Sequence, residues 1–587
     1  MKRRLLTLCL TLFAVLLFGI AATGAPAAAQ TDTPFTLLEW VPADFSGALR
    51  LETPTAQGAL NTINLNFAVA SLFQPNRTPG QVVRGLEALF PLTAFDLDDG
   101  STFATLINPW LGAEIVVGYP AFDARLNAES PLLMLSTAQP FNAVSAMRAA
   151  LRGQDLLTTE SYRGMTLYVG DQTAFAFTPV AVLIGTPDHL RAALDTAFGD
   201  APALTDDLTY QQVTQALDQS TPRLAGQVRS APISIYLTGD AAARAPRLLL
   251  SATSAADPLF DALVAAVDGL TAYEADAPQT PERALLAGGI DAVGIALTTD
   301  QLFTSVRADV VLHTSAPLID MDAAFDPTPL NYLPRSAMFV QSGSLPRIRD
   351  GALAALPLAN FAGIALSGFP VNISAGARAL PAPTGEEVQA AVEGLITFAA
   401  DAGINARGDL LDQLDGSYAF ALIPRPNNPT PLLNTRYDAL LIAQVGDDST
   451  YETLDNLARL LLGAGFEQDS LDVRSTIYDG GVIRTGNEPV IRAQIVDNLL
   501  IVGTGDSVPL ALAAGMGDNR LTVQDRWQTL NQDGVSYLYA DLPGMFSVFF
   551  PQVDAQTATS IRQVGVTSSQ IAPDMLHVRL SAVGVRR

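Results

Sequence analysis

Apolar residues recur along this chain in two rhythms. Alternating or continuous apolar runs over 114–119, 132–135, 419–423 and 439–443 read as strands. Over 141–151 and 451–462 the apolar positions fall three and four apart, the spacing of an amphipathic helix. Strand rhythm returns over 165–169, 175–177 and 182–184 with only turn residues between the runs. Successive strands joined by turns favour hairpins and an antiparallel sheet over a doubly wound one. The expected fold class is therefore α+β.

The pattern also repeats. Val182-Leu183-Ile184-Gly185-Thr186-Pro187-Asp188 has a counterpart in Leu500-Ile501-Val502-Gly503-Thr504-Gly505-Asp506, and seven of the sixteen positions from Gly185 to Asp200 are identical in Gly503 to Asp518. Ordinary composition would give about one. Further landmarks pair in the same order. Val41-Pro42 matches Leu333-Pro334, and the 111–120 strand matches 415–424 when aligned on Gly112 with Gly416 and Pro120 with Pro424. Tyr162-Arg163-Gly164 aligns with Tyr478-Asp479-Gly480, Tyr210-Gln211 with Trp527-Gln528, Tyr236 with Tyr539, and Val293-Gly294 with Val564-Gly565.

These matches predict two homologous lobes from an internal duplication, each a mainly antiparallel sheet with packed helices. The expected division is a signal peptide over 1–29, lobe one over 30–313, a linker over 314–332 rich in Pro, Asp and Ala, and lobe two over 333–587. Lobe one carries extra residues over about 241–289 that read as added helix.

Lys2-Arg3-Arg4, an apolar stretch to about Ala22 and then Ala27-Ala28-Ala29 have the order of a secretory signal, with cleavage expected after Ala29. An N-terminal anchor is the alternative if the signal is not cleaved. Cys9 sits early in the apolar stretch, whereas a lipid-bearing cysteine would end it. Cys9 is also the sole cysteine, so the mature chain holds no disulfide, thiolate metal site or cysteine nucleophile.

Composition narrows the function classes. The 587 residues carry 59 acids against 34 Lys and Arg, a net charge of −25, with 49% hydrophobic residues. That is a core-forming, acidic chain ill suited to nucleic acid, whose binding rests on neutralising phosphates. Lys2 is the only lysine, which removes Schiff-base and P-loop chemistry from the body of the protein. No later segment reads as a membrane span.

Asn108-Pro109-Trp110-Leu111-Gly112 and Asp409-Leu410-Leu411-Asp412-Gln413-Leu414-Asp415-Gly416, each leading into an alternating strand, resemble a bacterial extracytoplasmic family. So does the Tyr-x-Gly hairpin before the Ile-Gly-Thr strand-to-helix turn. The chain resembles the domain-of-unknown-function family 3352. The resemblance implies an exported envelope or secreted protein and brings no assigned activity or catalytic residues.

Several motifs invite chemistry, and each has a plainer reading. Gly503-Thr504-Gly505 before a helical stretch looks like a dinucleotide loop, but Val508 stands where the third glycine belongs. Asp188 and Asp506 are placed to cap the following helices. Gly505-Asp506-Ser507 resembles the nucleophile block of GDSL-type hydrolases. Ser507 would attack, His577 accept its proton and Asp574 orient the imidazole. Against this, His189 replaces the serine in the first copy, and no Gly-x-Asn-Asp block supplies an oxyanion hole. His189, His313 and His577 are too scattered for a zinc site, and Asp96 to Gly100 misses the calcium-loop spacing. Trp40, Trp110 and Trp527 sit at landmarks of the repeat and are expected in the core, as against a sugar- or lipid-binding surface.

The expected function is an exported, non-enzymatic scaffold or ligand-binding module of the cell envelope or exterior. No catalytic, cofactor-binding or metal-ligating residue is assigned, and the expected partner is an unknown ligand or envelope protein. A cleft between lobes is the natural place for a ligand. The alternatives are an exported esterase-like hydrolase using Ser507, Asp574 and His577, and a carrier of an apolar ligand.

Overall fold

Strand pairing gives the alternation its meaning. The computed structural model describes residues 36–52, 109–122, 128–151, 158–221, 231–242, 290–299, 305–315, 325–344, 394–425, 436–549 and 561–584, apart from short gaps within them. The expected signal peptide and most of the extra segment over 241–289 lie outside these residues. The chain forms two compact units: Met1–Ala255 with Gly288–Ser315 and Arg586–Arg587, and Ala256–Ala287 with Ala316–Val585.

In the first unit the strands are β1 (Gly47–Glu52), β2 (Leu111–Tyr119), β3 (Ala121–Phe122), β4 (Ala128–Glu129), β5 (Leu132–Thr137), β6 (Thr158–Tyr162), β7 (Met165–Val169), β8 (Ala174–Phe177), β9 (Ala181–Gly185), β10 (Ile233–Thr238), β11 (Ile290–Thr299) and β12 (Ser305–Thr314). Apart from the small β3–β4 ribbon they form one antiparallel sheet in the order β12-β11-β10-β1-β2-β5-β9-β8-β7-β6. One face buries Leu49, Ile115, Leu133, Leu135, Ile184 and Ile235, with Ala143 and Met147 of helix α1 (Pro140–Leu151) packed in the same cluster. Helix α2 (Pro187–Ala197) follows β9, and Leu190 lies beside Gly185. Helix α3 (Leu208–Ser220) sits on β11 because Gly294 leaves room for it; a Cβ there would lie 2.4 Å from Val213 and 2.7 Å from Leu217.

The second unit holds β13 (Phe339–Ser344), β14 (Leu414–Pro424), β15 (Tyr437–Val445), β16 (Glu467–Val473), β17 (Thr476–Thr485), β18 (Glu488–Val496), β19 (Leu499–Thr504), β20 (Ser536–Asp541), β21 (Ile561–Ala572) and β22 (Met575–Gly584). Their order is β22-β21-β20-β13-β14-β15-β19-β18-β17-β16, again antiparallel throughout. Element by element, this is the order of the first sheet. Helices α4 (Ser449–Leu462), α5 (Ser507–Gly515) and α6 (Asp525–Leu530) occupy the same chain positions as α1, α2 and α3. A further helix, α7 (Leu542–Phe549), packs with Met338, Phe339, Leu422 and Ala540.

Matching details accompany the matching order. Pro42 bridges Ala203 as Pro334 bridges Arg520. The N–H of Leu204 donates to the Val41 carbonyl at 2.8 Å, and that of Leu521 to the Leu333 carbonyl at 2.9 Å. Tyr210 packs edge-on against Tyr236, ring centres 4.9 Å apart, and Trp527 lies 5.5 Å from Tyr539. Trp110 and Trp527 are core residues, whereas Trp40 is half-buried.

Three expectations need correction. The 314–332 segment is not a bare linker, since Thr328–Tyr332 forms a 3-10 turn whose Leu330 enters the second core. The hairpin equivalent to Tyr162-Arg163-Gly164 turns at Arg474 and Ser475, both with positive φ, while Tyr478-Asp479-Gly480 lies within β17. Finally, register places Gly118 opposite Ala48 and Ala421 opposite Val340, one residue away from the alignment on Gly112 and Pro120. A one-residue slip exchanges the two faces of a strand, so that alignment would have moved residues of one packed face of the sheet onto the other.

Candidate functional site

The strand-to-helix turn after β19 is built from the inside. Gly503 must lack a side chain, because a Cβ there would come 2.8 Å from the Ala439 carbonyl and 2.1 Å from Ser507 Oγ. Gly505 takes φ of +55°, and the space beside it is filled by Asp438 and Arg425. The buried Asp438 carboxylate accepts from the Asp506 N–H at 3.2 Å, from Thr504 Oγ1 at 3.4 Å and from Arg425 Nη1 at 3.2 Å. A phosphate at this helix start would meet a carboxylate already in place, so the dinucleotide resemblance is one of backbone shape.

The expected caps differ from the observed ones. In the first unit Thr186, not Asp188, is the N-cap, accepting from the His189 N–H, and Asp188 instead pairs with Arg191 at 2.8 Å. Asp506 stands at the N-cap of α5 without a side-chain cap bond.

Ser507 is fully buried, and its hydroxyl donates to the carbonyls of Thr504 at 2.8 Å and Ala439 at 3.1 Å. A nucleophile needs a free approach and a base within reach; this hydroxyl is buried, and among the described residues its bonds go to the two carbonyls. His577 lies on β22, five strand places from β15 and six from β19 in the sheet order. Six spacings amount to about 29 Å along the sheet. Asp574 is in the β21–β22 turn. The structure does not bring Ser507 together with Asp574 and His577. Register instead gives His577 a structural counterpart: Val311 lies opposite Gly294 as Ser581 lies opposite Gly565, so His577 matches Arg307. In the first unit Arg307 donates to the Ser220 carbonyl at the end of α3 and pairs with Asp309 at 2.8 Å.

Among the described residues, a buried ionic cluster lies where the sequence carries no motif. Arg50 on β1 is 4% exposed and donates from Nε to Glu114 Oε2 at 2.8 Å, with Glu52 at 3.7 Å. Glu114 also accepts from Thr36 Oγ1 at 3.1 Å and from the Leu37 N–H, which begins the 3-10 turn Leu37–Trp40. The cluster thus ties the entering chain to the sheet. Its signal was present in Arg50 and Glu52, two charges on one face of an otherwise apolar strand.

The second unit solves the same place with serines. Glu52 opposite Glu114 corresponds to Ser344 opposite Ser417, and Arg50 to Ser342. There Ser417 Oγ accepts from the Asp326 N–H at 2.6 Å, and Ser417 N–H donates to Gln444 Oε1 at 2.6 Å. Asp326 accepts from Thr328 Oγ1 at 2.6 Å, from its N–H at 2.9 Å and from Gln444. The Thr328 hydroxyl bond above all, with its N–H and Gln444, holds the Asp326 carboxyl below the usual aspartate range despite desolvation.

Among the described residues no group of three or more His, Cys, Asp or Glu is placed to hold a metal. The Asp96 to Gly100 segment lies outside them. Among the described residues, no helix is long and apolar enough to cross a membrane.

A family model described as a protein of unknown function, DUF3352, matches residues 97–581, and the chain belongs to that family. No curated protein matches it. Among solved structures it is similar to crystal form III of TP0453, at 11% identity over 49% of this chain and 83% of that one, with a TM-score of 0.25. Crystal form I gives 10% identity, 49% and 83% coverage and a TM-score of 0.24. Crystal form IV gives 9% identity, 47% and 79% coverage and 0.23.

Proposed function

We propose that the chain is an exported, non-enzymatic protein of two homologous lobes, acting as a scaffold or ligand-binding module of the cell envelope or exterior. The observation that carries this reading is what the two units share and what they vary. They share packing: strand order, the Pro42 and Pro334 bridges, and the aromatic pairs under α3 and α6. They vary polar groups: Arg50, Glu52 and Glu114 against Ser342, Ser344 and Ser417, and His189 against Ser507. A scaffold needs only the former, and the serine with the most enzyme-like context points its hydroxyl at two carbonyls.

The test is native mass spectrometry of the protein exported by its own host, with a broad ester-hydrolysis screen beside it. The expected result is a chain beginning at Gln30, without ester turnover, carrying a mass that leaves on activation or assembling with an envelope protein. Ester turnover abolished by Ser507→Ala would overturn the non-enzymatic reading. Retention in the cytoplasm would overturn export.

A further inference from the structure

The two units differ most at one border of their sheets. In the first, β6, β7 and β8 are 5, 5 and 4 residues long. In the second, β16, β17 and β18 are 7, 10 and 9. β16 pairs with β17 along its whole length, Glu467 with Val482 through to Val473 with Thr476, without a bulge. Among the described residues it pairs with no strand on its other side.

Hairpin geometry shows which groups are free. Arg474 and Ser475, at φ of +53° and +66°, form a two-residue turn of the primed type. Val473 and Thr476 are then a hydrogen-bonded pair, as are the residues at every second place behind them. Gln468, Ser470 and Asp472 therefore turn their N–H and C=O groups away from β17, and all three residues are exposed.

Natural edges are blunted by bulges, Pro, Lys or short length. β16 has none of these and spans about 23 Å at an ordinary strand rise. Its only guard is acid. Glu467, Asp469 and Asp472 lie on a strand without Lys or Arg. Asp469 is bound to Arg484 and Arg492. On the other face Asp479 accepts from Ser470 Oγ at 2.7 Å, and Ile477 opposite Asp472 is 69% exposed.

We infer that β16 is a docking edge for an extended basic polypeptide segment, which adds as an eleventh strand. Main-chain bonds to 468, 470 and 472 supply the pairing, and Asp472, Asp479 and Glu467 select positive side chains while repelling a second acidic copy. β6 does not offer the same edge: it is shorter, Glu160 is held by Arg191 at 3.0 Å, and Tyr162 by Asp195 at 2.9 Å. The inference rests on the binding-module reading only in supplying it with a partner class.

The test uses the full chain, a seven-residue peptide alternating Lys and Val, and its Glu–Val counterpart. Fluorescence anisotropy should show binding of the Lys peptide alone, weakening with salt, as expected for charge selection at an exposed strand. Hydrogen exchange should show added protection at 468, 470 and 472. Ser470→Pro removes an outward N–H and leaves the main-chain ladder to β17 intact, losing only the Ser470 hydroxyl bond to Asp479, and should weaken binding at least about tenfold. Glu467→Gln with Asp479→Asn, which leave the ladder intact, should weaken it several-fold. Equal binding of both peptides, no protection at those amides, or unchanged binding in both variants overturns the inference. Those outcomes leave a ligand found by mass spectrometry untouched, so the two readings fail separately.

Discussion

Ser342 stands in the second sheet where Arg50 stands in the first, and the strand beside each has changed to suit. Arg50 faces Ser234 across the β1–β10 pair, whereas Ser342 faces Tyr537 across β13–β20. A long residue beside a short one has become a short one beside a long one. Close-packed interiors require this kind of exchange, because an uncompensated change of volume leaves either a void or a clash.

Removing one member of the buried ionic cluster should therefore be costly. Arg50→Ala takes from the buried Glu114 carboxylate its one cationic partner and leaves it the Thr36 hydroxyl and the Leu37 N–H, and we expect a loss of about 3–5 kcal/mol. Ser342→Ala should cost no more than about 1 kcal/mol. Denaturant unfolding of each variant checks the contrast, and equal losses would contradict it.

Ser507→Ala should behave as a packing change. The two carbonyls lose a shared donor, which predicts a loss of about 1–2 kcal/mol in thermal or denaturant unfolding. An unchanged stability would show that the hydroxyl is not holding the turn.

Gly294→Val should lift α3 from the sheet. The nearest atoms of Val213 and Leu217 lie well inside contact distance of a Cβ, so we expect a loss of about 1–3 kcal/mol or more. Val213→Ala in the same chain should recover part of it. A double-mutant cycle measures the recovery, and strict additivity would argue against the contact.

Asp326 gives a pH dependence of known sign. Its folded carboxyl titrates below the unfolded one, so its contribution is present above the ordinary aspartate range, near pH 4, and fades as pH falls through the folded value. Melting temperatures of the native chain and Asp326→Asn should differ at pH 6 and converge towards pH 2. A gap that persists at pH 2 would refute the linkage.

Much of this fold was legible because the apolar rhythm is strong. The 165–169 strand has the bounds expected of it, and the helix over 141–151 begins one residue earlier. The errors cluster where side-chain identity was trusted over backbone geometry. Gly112 and Gly416 looked equivalent, yet the register shifts at that point in both sheets, so the glycines are not in matching places. The second hairpin reaches positive φ at Arg474 and Ser475 without a glycine to mark it. The buried Arg50 cluster stays hidden in the sequence because its members become neighbours only when β1 pairs with β2, and the hydrolase-like surroundings of Ser507 do not tell that its hydroxyl turns to the carbonyls of Thr504 and Ala439.

The placement of tryptophan gives each unit its own optical reporter. Trp110 is buried in the first core, and Trp527 lies among Tyr537 and Tyr539 in the second. With Trp40 and Trp110 replaced by Phe, emission would come from Trp527 alone, fed by energy transfer from those tyrosines. Melting of the second unit would then be visible as a red shift and a loss of transfer, whether or not the first had already come apart.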